Sequence, residues 1–255
     1  MSAIATAPAT LKLPTHLDLP DTDGKPVDNT YQPTQWRILQ DSLSPHMWKL
    51  HPDGQFLVAM DHGIYFKITD PPLEGCRVAD LLVVEGVAPI PDDYIYRRSY
   101  VMWQDLIAPT LVTELVSGDG KEEHDRTPKT GKFWIYEKLI KAGYYVIYDP
   151  DRELLEVYRL EGTEFRPVVP NSRGHFPIPA LGIEVGLKHG THDLMTLSWL
   201  RFFDDQGNLL PISEELAAKA IQRADQETKR AEQLEMEKEA LLKRLRDLGV
   251  ESNGR

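Results

Sequence analysis

Two short stretches of this 255-residue chain carry apolar side chains at consecutive rather than alternate positions: Leu81-Leu82-Val83-Val84, and Leu111 to Ser117, read LVTELVS, with one acid inside it. Neighbouring side chains of a strand point to opposite faces, so such runs fit strands buried on both faces of a sheet. Thr127-Pro128 reads as a helix start, with Thr as N-cap and Pro at the first helical position; the helix is expected to run to about Ala142, with Gly143 as its C-terminal cap. A strand at Tyr144–Tyr148 and a hairpin partner at Leu154–Leu160 follow. Strand, helix, strand in that order implies a crossover between strands of one sheet, so the body is predicted to be mixed α/β (α+β).

The flanks read differently. Residues 1–32 are rich in Pro, Ala, Thr and Asp and are expected to form an extended or disordered arm. A short helix is expected over Thr34–Leu43, followed by strands at Gln55–Met60, Gly63–Thr69 and Arg77–Glu85, with Asp61-His62-Gly63 as a hairpin turn. Further short strands reach about Gly190, so residues 33–205 form the predicted domain. Residues 212–248 read as a C-terminal helix. From Ser213 to Leu248 there is no Gly or Pro, and a 3-4 spacing links Ala217, Ala220, Ala224, Glu227, Ala231, Leu234, Lys238, Leu241, Leu245 and Leu248. Both a self-associating coiled coil and a single amphipathic helix fit this pattern, and a homodimer is the expected assembly.

Composition narrows the function classes. No run of 18 apolar residues exists, which argues against a membrane-spanning helix, and the start MSAIATAPAT lacks the features of a secretory signal. The single cysteine, Cys76, excludes an internal disulfide and a multi-cysteine zinc cluster. A cytoplasmic protein is expected. The net charge is −11; the segment from Ile212 holds 10 acids against 9 bases, so the body carries −10 of it. Such a body does not attract phosphate backbones in bulk, and a nucleic-acid partner needs a local basic patch or a bound divalent cation.

Acids inside apolar strands are the informative residues, because burying a carboxylate costs several kcal/mol, in order of magnitude, unless something pairs with it. Asp80 directly precedes the first apolar run and Glu114 lies within the second. On neighbouring strands facing one cleft they make a hard-oxygen site for Mg²⁺; otherwise they are unrelated strand acids. Lys129, Lys132 and Tyr136 share one face of the expected helix. A lysine beside a metal-bound water orients the nucleophile and offsets charge on a phosphate. His189-Gly190-Thr191-His192, the histidines flanking Trp48, and His124 are assigned to loops or packing. Arg97-Arg98 and Lys121 form either a modest DNA-facing patch or a solvated face. No Gly-rich phosphate loop, G-x-S-x-G or Cys/His constellation occurs.

Taken in order, Ala79-Asp80-Leu81-Leu82-Val83-Val84, Val112-Thr113-Glu114-Leu115-Val116-Ser117, Asp125, the helix with Lys132 and Tyr136, and Ala142-Gly143 with Tyr145 to Pro150 resemble the putative restriction endonuclease family of the PD-(D/E)XK nuclease superfamily. The closing strand Leu155–Leu160 and the Glu/Arg-rich helical tail fit as well. The resemblance spans roughly Phe56 to Leu187. It implies a restriction-endonuclease-like core, a central mixed sheet flanked by helices, and Mg²⁺- or Mn²⁺-dependent hydrolysis of DNA phosphodiester bonds. Carried over by position, Asp80 and Glu114 hold the metal and Lys132 is the catalytic lysine. Lys129 is its competitor, and Asp125 and Tyr136 are supporting residues. Val116 stands where the superfamily pattern has its lysine, Ala79 replaces a proline, and the usual first helix is abbreviated. The alternative is a non-catalytic protein that keeps the nuclease fold and assembles through its C-terminal helix.

Overall fold

A computed structural model describes residues 13–22, 24, 29–90 and 95–247. The chain divides into two compact units, Met1–Leu210 and Pro211–Arg255. The first is built on a seven-stranded mixed sheet in the order β3-β1-β2-β4-β5-β6-β7. Its strands are β1 (Phe56–Tyr65), β2 (Cys76–Glu85), β3 (Tyr100–Val101), β4 (Leu111–Leu115), β5 (Tyr144–Asp149), β6 (Leu154–Glu161) and β7 (Glu164–Pro167). A second sheet of three strands, β8 (Phe176–Ile178), β9 (Ile183–His192) and β10 (Met195–Asp204), runs β10-β9-β8. The helices are α1 (Tyr31–Leu50), α2 (Met102–Asp105) and α3 (Lys132–Ile135), the last continuing as a π-helical turn over Tyr136–Ile140.

The consecutive apolar runs do cover both faces of the sheet. Leu81, Val83, Leu111, Val146 and Tyr148 join α1 and the second sheet in one core, through Leu39, Leu43, Val185 and Leu200. Leu82, Val84, Val112, Tyr145 and Ile147 join Phe133, Tyr136 and Ile140 in the other. Each fully buried side chain of this size contributes about 1.5–3 kcal/mol. β4 and β5 are parallel, with Leu111 opposite Tyr144, and α3 lies in the crossover between them. The remaining pairs of the large sheet are antiparallel apart from β1–β3.

The structure departs from the sequence expectations at the first helix, at the hairpin turn and at both ends of the crossover helix. The first helix is not the short Thr34–Leu43 element, nor is it abbreviated; α1 spans 20 residues and passes through Pro45. Burial of Gln35, Ile38, Leu39, Leu43 and Met47 holds it beyond the position where proline removes a helical donor. It also starts inside the expected arm. Asp61-His62-Gly63 is not a hairpin turn: β1 pairs with β2 from Phe56 opposite Glu85 to Tyr65 opposite Cys76, and Asp61 is a left-handed kink at φ 46° within it. The helix does not start at Thr127-Pro128. Lys129 takes φ 73°, Gly131 caps, and the first helical residue is Lys132. A Cβ on Gly131 would lie 2.3 Å from the Asp125 carbonyl oxygen, so glycine is required there. The helix ends at Ile140 with Lys141, not Gly143, as the left-handed cap.

Among the described residues of the arm, Trp103 donates to the Pro14 carbonyl and Tyr65 to that of Pro20, both at 2.7 Å. The second unit contains α4 (Ser213–Asp247), 35 residues with none buried. Leu248, the last position of the expected seam, lies outside the described residues. No helix among the described residues is long and apolar enough to cross a membrane.

Gln35 fastens α1 to β10. Its amide nitrogen donates to the Leu200 carbonyl and its oxygen accepts the Leu200 N–H, both at 2.9 Å, with the side chain fully buried. Gln35→Leu leaves two buried backbone groups unpaired and is expected to lower stability by about 2–4 kcal/mol in denaturant titrations. A change below about 0.5 kcal/mol would contradict this account of the clamp.

Candidate active site

Where β2 and β4 part, the sequence places its acids. The ladder between them covers Leu81 to Val83 against Thr113 to Leu111. Beyond it, the Asp80 carboxylate takes the place of a backbone carbonyl: Oδ2 accepts the Leu115 N–H at 2.6 Å. Oδ1 accepts the indole N–H of Trp36, from α1, at 3.1 Å. Glu114 is buried on the neighbouring strand, and both acids line one cleft of about 620 Å³. Burial pushes the Asp80 carboxyl up to about 6, against the pull of the Leu115 hydrogen bond and Lys132. Burial pushes Glu114 further, to about 8, opposed by Lys132 and assisted by repulsion from Asp80.

The crossover delivers the cation. Lys132, at the first position of α3, places Nζ 3.3 Å from Glu114 Oε2 and 3.4 Å from carboxylate oxygens of both Glu122 and Glu123. Burial draws its pKa down, but the three carboxylates outweigh burial and hold the ammonium above the ordinary lysine value. One turn on, the Tyr136 hydroxyl donates to Glu114 Oε1 at 2.5 Å. This tyrosine is fully buried, so it contacts the acid and the core, not solvent. Val116 is buried in the α3-side core, and the ammonium reaches Glu114 from α3.

Asp80, Glu114, Asp125 and Lys132 therefore line the same cleft. Asp125 directs its carboxylate to the Thr127 N–H at 2.8 Å, which holds its pKa below the usual range. Lys129 sits exposed on the turn before α3 and is not part of the cleft wall. His124 bridges the Gly120 carbonyl and Glu156. Arg97 is buried against Asp105 and Arg98 binds Asp21, so the Arg97-Arg98 pair serves internal contacts and not a basic patch. Glu123 escaped the sequence reading. Its side chain is 4% exposed, against 74% for the adjacent Glu122, and a loop has no periodicity to separate the two.

The cleft suits a hard divalent cation in its donors: a buried carboxylate, Glu114, and a half-buried one, Asp80, both held above their ordinary pKa values, whose charged forms a cation would stabilise. Buried Glu123 Oε2 also lacks a hydrogen-bond partner among the described residues. No group of three His, Cys, Asp or Glu side chains among the described residues is placed to hold a metal by itself, so main-chain oxygen and water would complete any coordination shell.

The family model of Uma2, described as "Putative restriction endonuclease", matches residues 30–197. The chain belongs to the Uma2 family. The match runs from just before α1 into β10 and takes in every cleft residue named above, and the mixed sheet with its helices agrees with a restriction-endonuclease-like fold. No curated protein matches the chain.

The Glu114 shift has a consequence for stability in this Uma2 protein. Because the folded state holds the proton more tightly than the unfolded chain, stability falls as pH rises from the ordinary glutamate value of 4.5 through about 8. Glu114→Gln keeps the neutral shape and loses that dependence. In EDTA at pH 8 the variant is expected to be more stable than the parent by on the order of 1–3 kcal/mol, with the gap closing towards pH 5. A gap independent of pH in denaturant titrations would contradict the assignment.

Proposed function

We propose that the protein is a divalent-cation-dependent endonuclease that hydrolyses DNA phosphodiester bonds. One observation carries the reading: Asp80 and Glu114, from strands distant in sequence, line a single cleft in which the Lys132 ammonium is hydrogen-bonded to Glu114. Asp80, Glu114 and a main-chain carbonyl of β4 would hold Mg²⁺ or Mn²⁺, which when bound lowers the pKa of a water and neutralises charge on the scissile phosphate. Lys132 holds the attacking water by an N–H and offsets the charge that develops on the phosphoryl oxygens. Tyr136 fixes Glu114 through Oε1 and Trp36 fixes Asp80 through Oδ1, so both acids meet substrate in set rotamers.

Purified protein with Mg²⁺ or Mn²⁺ is expected to nick or linearise plasmid DNA, and EDTA to stop it. Glu114→Ala and Lys132→Met should each lower the rate by about 10²–10³-fold. Equal cleavage by parent and Glu114→Ala would mean a contaminating nuclease and remove the claim. An inert parent that still self-associates would leave the scaffold reading.

Assembly belongs to the same proposal. The seam of α4 leaves Leu234, Leu241 and Leu245 exposed. A second copy of the helix is the partner that buries them, in a homodimer able to cut both strands of a duplex, in the cytoplasm. Leu234→Glu combined with Leu241→Glu is expected to convert dimer to monomer in light scattering; an unchanged mass would assign the seam elsewhere.

A further inference from the structure

The charge balance of the cleft singles out one residue that the mechanism above does not use. Six acids line it, Asp61, Asp80, Glu114, Glu122, Glu123 and Asp125, against two cations, Arg77 and Lys132. Lys132 lies within ion-pair distance of three of those acids. Arg77 has no carboxylate within ion-pair distance among the described residues. Arg97, Arg98 and Arg173 all do, in Asp105, Asp21 and Glu184.

Neutral groups fix the Arg77 guanidinium. Nη1 donates to the Cys76 carbonyl at 2.6 Å and Nη2 to the Thr130 carbonyl at 3.0 Å, while the Phe66 ring lies 5.9 Å from Cζ. Two of its five N–H groups are engaged and the charge is not balanced by an acid. A half-buried guanidinium, held by carbonyls, is a ready phosphate fork: its planar donors match phosphate oxygens and little rotamer freedom remains to be lost. Arg77 precedes Asp80 by three residues on β2, roughly 10 Å between their backbone positions, and both side chains line the cleft.

Resting on the nuclease reading of this cleft, we infer that Arg77 binds a backbone phosphate of the nucleic-acid substrate next to the scissile one, and so sets the register of the strand across Asp80 and Glu114. The contact is a ground-state one. It admits a polyanion to an acidic cleft and is kept through the reaction, so it weighs on KM more than on kcat.

The test compares the full-length parent with Arg77→Gln and Arg77→Lys. Cleavage of a fluorescent duplex is followed against substrate and salt concentration, and anisotropy reports binding of the same duplex. Arg77→Gln is expected to raise KM and Kd about tenfold, to leave kcat within about threefold, and to lower the slope of log Kd against log salt by about one. Arg77→Lys should recover the salt slope but only part of the affinity, since it keeps the charge without the fork. If Arg77 only staples the Thr130 loop to β2, Arg77→Gln will lower the melting temperature and kcat while KM and the salt slope stay put. That result overturns the inference and leaves the nuclease reading intact. A parent that binds the duplex without cutting it, with binding weakened as stated in Arg77→Gln, would support the inference while the hydrolytic reading fails. A parent that neither binds nor cuts would overturn both.

Discussion

The hydrogen bond from the Leu115 amide to Asp80 Oδ2 holds β2 and β4 together at the point where their backbone ladder stops. An ordinary ladder would fill that position with a carbonyl and leave no room for chemistry. A carboxylate in its place keeps the strands joined and puts an acid at the fork, beside Glu114. Desolvation then raises the pKa of both acids, and Lys132 and Tyr136 are set against the deeper one. The arrangement resists full burial of charge and is suited to a ligand that brings positive charge with it.

The fork is held from both faces of the sheet. On one face α1 is clamped to β10 through Gln35 and sends Trp36 to Asp80. On the other, α3 packs Phe133 and Tyr136 against Tyr145. Each acid is thus oriented from a different layer, and the cleft opens where the layers meet the end of the β2–β4 ladder.

How much of this was legible follows from the range of the forces involved. The apolar runs at Leu81 and Leu111 announced buried strands because a solvent-facing strand has no use for consecutive apolar residues. Asp80 and Glu114 stood out for the same reason, as acids in segments that desolvate them. Asp61 misled because a lone left-handed residue inside a long strand has the same local chemistry as a turn; only pairing with β2 distinguishes them. Thr127-Pro128 carried sound helix-start chemistry, yet the close approach of Gly131 to Asp125 delays the helix to Lys132. That delay removes Lys129 from the helix face it was expected to share. Glu123 was illegible, since its burial depends on how the loop folds back over Lys132.

The parallel pairing of β4 with β5 has a further meaning. Glu114 lies on β4 itself, and Glu123, Lys132 and Tyr136 belong to the single excursion that leaves the sheet after β4 and returns as β5. Most of the polar groups around Glu114 therefore come from one contiguous stretch of sequence, with Asp80 joining them from β2. A change in the length of this one excursion would move the Lys132 ammonium and Tyr136 together relative to Glu114.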